Sequence, residues 1–139
     1  MSDRCFVDTN ILLYAHDASA GAKHERAKAL VARLWQEQSG VVSTQVLQEL
    51  AVNLRRKCTP PVDLNTTREI VADYMAWECH VNTGASTLEA LRFEERYGLA
   101  FWDALILQAA DASGVSIVYS EDLSDGQTYG SVRVVNPLK

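Results

Sequence analysis

The chain has few cysteines and histidines, and neither is spaced as a disulfide framework or a zinc site would require. The chain has three cysteines, an odd number that cannot pair completely in disulfides, and no two of them form a C-x-x-C pair. The three histidines are equally scattered. These absences argue against both kinds of scaffold and favour reduced thiols in a cytoplasmic protein. The residues concerned are Cys5, Cys58, Cys79, His16, His24 and His80.

Long apolar runs are also lacking, and no segment approaches the ~20 residues of a membrane-spanning helix. The apolar stretch near the N-terminus is too short for the hydrophobic region of a signal peptide, and Asp8 interrupts it. We therefore expect a soluble intracellular protein that does not associate with membranes.

An excess of positive charge, which is typical of nucleic-acid-binding folds, is missing as well. The formal net charge is -5. If the substrate contains a phosphodiester, its repulsion by the protein must be offset locally. A bound divalent cation is one way to achieve this.

What the chain does have is the length and composition of one globular domain, predicted to span residues 1–139. Hydrophobic residues make up 47% and charged residues 22%, which argues against extensive disorder. Short β-prone runs alternate with helical patterns, and this predicts an α/β fold with a parallel β-sheet flanked by helices. The predicted strands cover residues 5–7, 41–42, 80–82, 116–119 and 132–135, and the predicted helices cover 11–14, 20–38, 44–57, 66–77, 86–97 and 103–113.

Side-chain caps are predicted at the start of three of these helices. Asn10 precedes the first helix and has a side chain suited to capping. Thr66 with Glu69, and Ser86 with Glu89, have the spacing of a capping box.

Three acidic residues occupy positions where α/β proteins commonly bind ligands. Asp8 follows a predicted strand directly, and Asp122 comes shortly after another. Ligands of open α/β sheets bind beyond the carboxyl ends of the strands. Asp103 begins an apolar helix, so we expect its side chain at the edge of the hydrophobic core.

A fourth acid, Glu49, has an unusual position on its predicted helix. At ~100° per residue, Glu49 falls on the edge of the apolar stripe, whereas a solvated glutamate more often faces away from it. Asn53 lies one turn beyond Glu49. The stripe consists of Val46, Leu47, Leu50, Ala51 and Leu54.

Each acid alone also has an ordinary structural interpretation. Asp8 suits a turn or a cap, Asp103 suits a helix N-cap, and Glu49 and Asp122 suit the solvated surface. Carboxylates gathered without a cation repel one another, and some are forced to take up a proton. Because oxygen ligands suit hard cations such as magnesium, manganese or calcium, the four acids together predict a divalent-cation site that activates water.

Four segments around these acids resemble the acidic motifs of PIN-domain nucleases. The short single-domain form is similar to the VapC-type toxins of bacterial toxin–antitoxin systems. The resemblance extends over essentially the whole chain. The segments are F-V-D-T-N-I-L at 6–12, S-T-Q-V-L-Q-E at 43–49, W-D-A at 102–104 and Y-S-E-D-L at 119–123.

The resemblance implies a Mg²⁺- or Mn²⁺-dependent endoribonuclease that hydrolyses RNA. It also implies a parallel sheet flanked by helices, a homodimer, and an antitoxin protein that blocks the site. By position, Asp8 and Asp103 match the principal metal ligands of the family. Glu49 and Asp122 match the remaining acids, which bind a second ion or orient water.

Two polar residues are added by the same resemblance, and one assignment stays open. Asn10 and Ser120 match positions that support the acids or contact the substrate. The fourth motif also contains Glu121 and Asp125 close to Asp122. We favour Asp122 because it follows Ser120 by two residues, as in the family, whereas Asp125 precedes a glycine and suits a turn.

Two rival functions are weighed against the nuclease. Asp8 after the first strand would suit the nucleophile of a phosphotransferase or phosphatase. That chemistry usually places a lysine near the later acids, and no lysine occurs between Lys57 and Lys139. The second rival is a non-catalytic binding module on the same fold, which the presence of all four acids disfavours.

Two further features have alternative interpretations. The basic cluster at residues 55–57 would contact RNA phosphates or complement the negative end of a helix dipole, and we favour the dipole. The tryptophans Trp35, Trp77 and Trp102 would stack on bases or pack in the core, and we favour packing for most of them.

Overall fold

The structure, a computed structural model, describes residues 3–139, so Met1 and Ser2 of the predicted domain lie outside the described residues. Strands alternate with helices as predicted. The strands are β1 (Cys5–Val7), β2 (Gly40–Ser43), β3 (Glu78–His80), β4 (Ile117–Tyr119), β5 (Thr128–Tyr129) and β6 (Val132–Val135). The helices are α1 (Thr9–His16), α2 (Ala22–Glu37), α3 (Thr44–Arg56), α4 (Leu64–Tyr74), α5 (Gly84–Tyr97) and α6 (Phe101–Ala112), with a 3-10 turn at Ala18–Ala20.

The strands form one sheet in the order β3-β2-β1-β4-β6-β5. The central strand β1 pairs in parallel with β2 and β4, and Phe6 lies opposite Val41 and Val118. The pairs β2–β3 and β4–β6 are parallel too. The predicted α/β fold with helices around a parallel sheet is therefore confirmed. Since β1 and β4 end at the same edge, the residues that follow them are brought together.

One edge of the sheet departs from the prediction. β5 pairs with β6 in the antiparallel direction, with Thr128 opposite Arg133 and Tyr129 opposite Val132. The polar stretch that contains β5 was expected to be a loop. A strand of two residues is too short to give an alternating pattern in the sequence.

Helices α1 and α6 begin differently from the prediction. The N-cap of α1 is Asp8, whose Oδ1 accepts the Thr9 N–H at 2.7 Å, so the expectation that Asn10 caps this helix is wrong. Helix α6 begins two residues before Asp103, after Ala100, and has no side-chain cap. Asp103 therefore lies in the first turn and is not the cap that its alternative interpretation suggested.

Two other helices begin before their predicted capping boxes. Asp63 caps α4 by accepting the N–H of Thr66, which lies inside the helix. Thr83 caps α5 and forms a reciprocal pair with Ser86. In both cases the residue expected to be the cap occupies the third helical position, where its side chain or N–H contacts the true cap.

The remaining differences concern element ends and one apolar side chain. Strand β3 covers 78–80 rather than 80–82, and α2 starts at Ala22 because Gly21 has a positive φ of 63°. Trp35 remains 38% exposed, although core packing was favoured for most of the three tryptophans. It packs against Trp77 with ring centroids 5.3 Å apart. No helix within residues 3–139 combines the length and hydrophobicity that crossing a membrane requires.

The close approach of Gly40 to the Trp77 indole leads to a prediction about stability. A Cβ on Gly40 would overlap the buried Trp77 indole and lie 2.6 Å from its Cδ2 atom. We expect Gly40→Ala to lower the free energy of unfolding by about 1–3 kcal/mol, the usual cost of overpacking. Urea denaturation followed by circular dichroism measures the change. The matched control is Gly84→Ala, where nothing lies within 4 Å of the added Cβ; equal stability of the two variants would contradict the prediction.

A candidate active site of four carboxylates

A cavity of about 150 Å³ opens at the carboxyl ends of β1 and β4. The four acids singled out in the sequence all line it, although they come from four distant segments of the chain. Asn10 lines it too, whereas Ser120 lies beneath it and contacts Asp8. The lining residues are Asp8, Thr9, Asn10, Leu13, Gln45, Glu49, Asn53, Lys57, Trp102, Asp103, Ile106 and Asp122.

Asp8 is the most deeply placed of the four acids. Its side chain is buried, and each carboxylate oxygen accepts one hydrogen bond: Oδ1 from the Thr9 N–H at 2.7 Å and Oδ2 from the Ser120 hydroxyl at 2.8 Å. Burial raises the pKa of Asp8 to about 6, against the lowering effect of these two hydrogen bonds. The carboxylates of Glu49 and Asp122 raise the pKa further. The position therefore lacks a compensating positive charge.

Ser120 ties the two strand ends together. It is fully buried directly after β4, and its hydroxyl donates to Asp8. The same oxygen accepts the backbone N–H of Asp122 at 3.2 Å and of Leu123 at 3.4 Å. One side chain thus orients the first acid and shapes the loop that presents the fourth.

Asn10 orients Asp122 from the first turn of α1. Its Nδ2 donates to Asp122 Oδ2 at 2.9 Å, and its Oδ1 accepts the Glu121 N–H at 3.2 Å. Since both ends of the amide are used, the side chain links α1 to the loop after β4. Asp122 itself is exposed and lines the cavity.

Glu49 is held over the cavity by the neighbour of Asp8. The Thr9 hydroxyl donates to Glu49 Oε1 at 2.9 Å and so connects the start of α1 to the middle of α3. Glu49 is half-buried, in agreement with its predicted place at the edge of the apolar stripe.

Helix α3 contributes a row of polar side chains to the cavity. Gln45, Glu49, Asn53 and Lys57 all line it and are spaced four residues apart, which places them on one face of the helix. The residues of the basic cluster at 55–57 do not all line the cavity. The ammonium-bearing Lys57 lines the cavity, whereas Arg55 Nε donates to the Ala51 carbonyl at 2.9 Å within the last turns of the helix.

Asp103 faces the cavity from the first turn of α6. Partial burial raises its pKa, and the nearby Asp122 carboxylate raises it further. The start of α6 is anchored to α3, because Gln45 Nε2 donates to the Trp102 carbonyl at 3.2 Å. Asp103 and Asp8 are thus both acids whose charged form is disfavoured by burial and by neighbouring carboxylates.

The alternatives in the fourth motif have other partners. Glu121 accepts the Tyr14 hydroxyl at 2.7 Å and pairs with Lys23 at 2.6 Å. Neither Glu121 nor Asp125 belongs to the lining of the cavity, whereas Asp122 does.

A pair of substitutions tests this assignment. With the ribonuclease activity that the family resemblance implies as the readout, we expect Asp122→Asn to lower the cleavage rate by about 10- to 100-fold, the range typical of residues that support a metal site. Asp125→Asn is the matched control, because Asp125 accepts the Asn136 N–H at 2.8 Å and pairs with Lys139 at 3.2 Å, away from the cavity. Initial rates on one RNA substrate decide the matter, and a larger loss in Asp125→Asn would reassign the fourth acid.

The chemistry of the lining suits a hard divalent cation. Its charged groups are four carboxylates and one ammonium. A dication would therefore offset the burial and, to a smaller extent, the repulsion that raise the pKa of Asp8 and Asp103. In residues 3–139, no three acidic, histidine or cysteine side chains converge closely enough to form a preassembled cage. Magnesium sites commonly need only one or two carboxylates, with water and substrate phosphate completing the shell. The lining fits that less complete arrangement.

Sequence reasoning missed two residues that shape this site, Gln45 and Thr9, and favoured a helix-dipole role for the cluster that contains Lys57. Gln45 and Lys57 were both accessible through the four-residue spacing from Glu49, which continues on either side along the helix. Thr9 gave no such signal. Its contact with Glu49 joins residues 40 positions apart, and a single sequence does not show which helix packs beside β1.

Comparison with known proteins places the fold. The family model described as PIN domain matches residues 5–124 of the chain. No curated protein sequence matches it.

Three solved structures are similar to the chain. The Mycobacterium tuberculosis toxin VapC20, which cleaves the sarcin-ricin loop, aligns over 85% of this chain and 89% of its own, with a TM-score of 0.66 and 22% identity. A toxin–antitoxin complex from Klebsiella pneumoniae aligns over 96% and 97%, with a TM-score of 0.69 and 19% identity. VapBC2 from Rickettsia felis, bound to a promoter DNA fragment, aligns over 94% and 96%, with a TM-score of 0.63 and 15% identity. At these identities the similarity concerns the fold.

Proposed function

The chain belongs to the PIN-domain family, and from this premise we propose that it is a metal-dependent endoribonuclease that hydrolyses RNA phosphodiester bonds. The observation that carries the proposal is the shared cavity, in which four acids from four distant segments meet at the carboxyl edge of the sheet. Capping of α1 accounts for Asp8 but not for the three acids that gather around it, because like charges at one place lower stability.

The side chains have distinct roles in the proposed reaction. Asp8 and Asp103 would hold Mg²⁺ or Mn²⁺, with Glu49 and Asp122 completing the set. When bound, such an ion neutralises charge on the phosphate and makes water a better nucleophile. Thr9 and Asn10 keep Glu49 and Asp122 oriented toward the cavity through hydrogen bonds of 2.9 Å each.

The remaining polar side chains suit the substrate. Lys57 places an ammonium in the cavity, where it can contact an RNA phosphate that would otherwise meet only carboxylates. Asn53 offers an amide donor on the same face of α3. In-line attack of water on phosphorus then breaks the bond to the leaving ribose oxygen.

We further propose that the protein is the toxin of a type II toxin–antitoxin module, acts in the cytoplasm, forms a homodimer and is blocked by a cognate antitoxin. Two of the similar structures are described as a toxin–antitoxin complex and as VapBC2, and the third is described as a toxin that cleaves the sarcin-ricin loop. The chain aligns with nearly the full length of all three. Growth arrest on induction, and its relief by a co-expressed neighbouring reading frame, would test this part.

The direct test is cleavage of mixed cellular RNA by the purified protein, followed by mapping of the new ends. We expect discrete cuts with Mg²⁺ or Mn²⁺ and none with chelator. Asp8→Asn protein prepared in parallel should not cut and so controls for contaminating ribonuclease, whereas Asp125→Asn, altered away from the cavity, should cut like the wild type. Cuts that persist unchanged in chelator would contradict the proposal.

One observation in the structure supports the rival function, a phosphotransferase. Lys57 reaches the cavity from α3, so a lysine is present there although none lies near the later acids in the sequence. A phosphotransferase would form a phosphoaspartate at Asp8. Mass spectrometry after incubation with acetyl phosphate distinguishes the two, since the nuclease is expected to remain unmodified.

A further inference from the structure

An exposed tryptophan stands at the rim of the acidic cavity. Trp102 lies in the first turn of α6, directly before Asp103, and is 64% exposed, whereas Trp77 is buried in the core. It lines both the acidic cavity and an adjoining groove of about 410 Å³. Packing of the chain's own core does not explain an indole left in water at this place.

The indole is held in place by two contacts. The Trp102 carbonyl accepts a hydrogen bond from Gln45 Nε2, which fixes the backbone against α3. The Phe101 ring packs against the indole with centroids 5.1 Å apart and planes at 76°. A ring that is already positioned loses little conformational freedom when a ligand stacks on it.

The groove beside the indole combines polar groups with exposed apolar surface. Helix α3 supplies the amides of Gln45, Gln48 and Asn53, the carboxylate of Glu49 and the exposed side chain of Val52. Amide side chains donate to and accept from the edges of nucleobases, while an aromatic face accepts any base. The apolar surface of the groove comes from Trp102 and Val52, whereas a protein segment more typically docks on a cluster of several apolar anchors.

The charge of α3 beyond the groove also suits a nucleic acid. Arg56 lies one turn after Val52 on the same side of the helix, and Lys57 lies one turn after Asn53. Both side chains are exposed. An RNA strand that extends from the indole along α3 would therefore pass positively charged side chains that suit its phosphates.

Resting on the proposed nuclease function, we propose that Trp102 is a base-stacking platform. The subsite formed with Gln48 and Asn53 binds one nucleobase of single-stranded RNA beside the phosphodiester held at the acids. Stacking explains both the exposure of the indole and its position one residue before Asp103. It also predicts weak sequence preference at this base, because every base has a face that can stack.

The test is RNA binding by an Asp8→Asn background, which removes one negative charge and prevents cleavage. The probes are a fluorescein-labelled ten-nucleotide oligouridylate and an abasic ribose-phosphate chain of the same length, followed by fluorescence anisotropy. Adding Trp102→Ala should weaken oligouridylate binding by about 5- to 150-fold, the range for loss of one stacked base. Binding of the abasic chain should stay unchanged.

Two further variants separate stacking from other effects. Trp102→Phe should retain most of the affinity, and Trp102→Leu should lose it, because only the former keeps an aromatic face. Leu88→Ala is the matched control, since Leu88 is 66% exposed on α5 and lies outside both lining sets. It should bind like the parent.

The outcomes keep this inference distinct from the nuclease proposal. Equal oligouridylate affinity with and without Trp102, or an equal loss on the abasic chain, would overturn the platform even if the wild type cuts RNA. Trp102-dependent binding in a wild type that never cuts RNA would support the platform and overturn the nuclease. Loss of partner-protein binding with unchanged RNA binding would assign the groove to protein docking, against this proposal.

Discussion

Asp8→Asn is expected to lower RNA cleavage by at least about 10³-fold, since a metal site supplies several kcal/mol of transition-state stabilisation. The carboxylate lies at the base of the cavity, and asparagine offers one oxygen without a charge. Initial rates of cleavage of one mapped RNA measure the effect. A variant that cuts at the wild-type rate would contradict the assignment of Asp8.

The same substitution should leave the fold intact and even stabilise it. Asparagine caps helices well: its Oδ1 can accept the Thr9 N–H, and its Nδ2 can donate to the Ser120 hydroxyl in place of the hydrogen bond that this hydroxyl donates to Asp8. The folded protein holds the pKa of Asp8 at about 6, above its usual value near 3.8. Ionising this carboxyl therefore costs stability, and replacing it removes a cost of about 3 kcal/mol at neutral pH.

The contribution of Asp8 to the free energy of unfolding should depend on pH, and its raised pKa fixes the direction of that dependence. Between the two pKa values the folded protein holds more protons than the unfolded chain, so the contribution of Asp8 falls as pH rises from about 4 to 6. In chelator, Asp8→Asn should exceed the wild type in free energy of unfolding at pH 7.5, and the gap should close near pH 4. A wild type that is the more stable protein at pH 7.5 would contradict the unpaired burial of Asp8.

Asp103→Asn has the second-largest expected effect, a loss of about 10²- to 10³-fold in cleavage rate. Its pKa is raised by burial and by the Asp122 carboxylate, so its charged form needs a cation. Since Asp8 and Asp103 would act on the same ion, the double variant should be little worse than Asp8→Asn alone. Losses that multiply fully would indicate independent roles.

Helix α6 itself supplies the control for this experiment. Asp111→Asn changes an acid of the same helix that is exposed and accepts the Ser131 hydroxyl at 3.3 Å, away from the cavity. It should cut RNA like the wild type. A similar loss in both variants would point to a general charge effect on α6 rather than to ligation by Asp103.

The order of strands and helices could be predicted from the sequence because apolar residues are spaced differently in strands and in helices. The alternation placed five of the six strands, and it missed β5 because two residues form no period. Helix starts were less accessible. Asp63 and Thr83 cap their helices from outside the predicted boxes, and the sequence alone offered several residues able to cap at each place.

Some residues of the candidate site could be predicted from the sequence, and others could not. Asp8 and Asp122 follow strands, and this alone located them at one edge of the sheet. Glu49 was visible from its angle on α3. Thr9 was not, because its hydrogen bond to Glu49 depends on the packing of α1 against α3.

The central claim is that the cavity binds a divalent cation through Asp8 and Asp103. Isothermal titration calorimetry of Mn²⁺ into the wild type and into Asp8→Asn, Asp103→Asn and Asp111→Asn tests it most directly. We expect saturable binding by the wild type and Asp111→Asn, and at least about 10-fold weaker binding by the other two. Absence of binding by the wild type, or equal affinity in all four proteins, would contradict it.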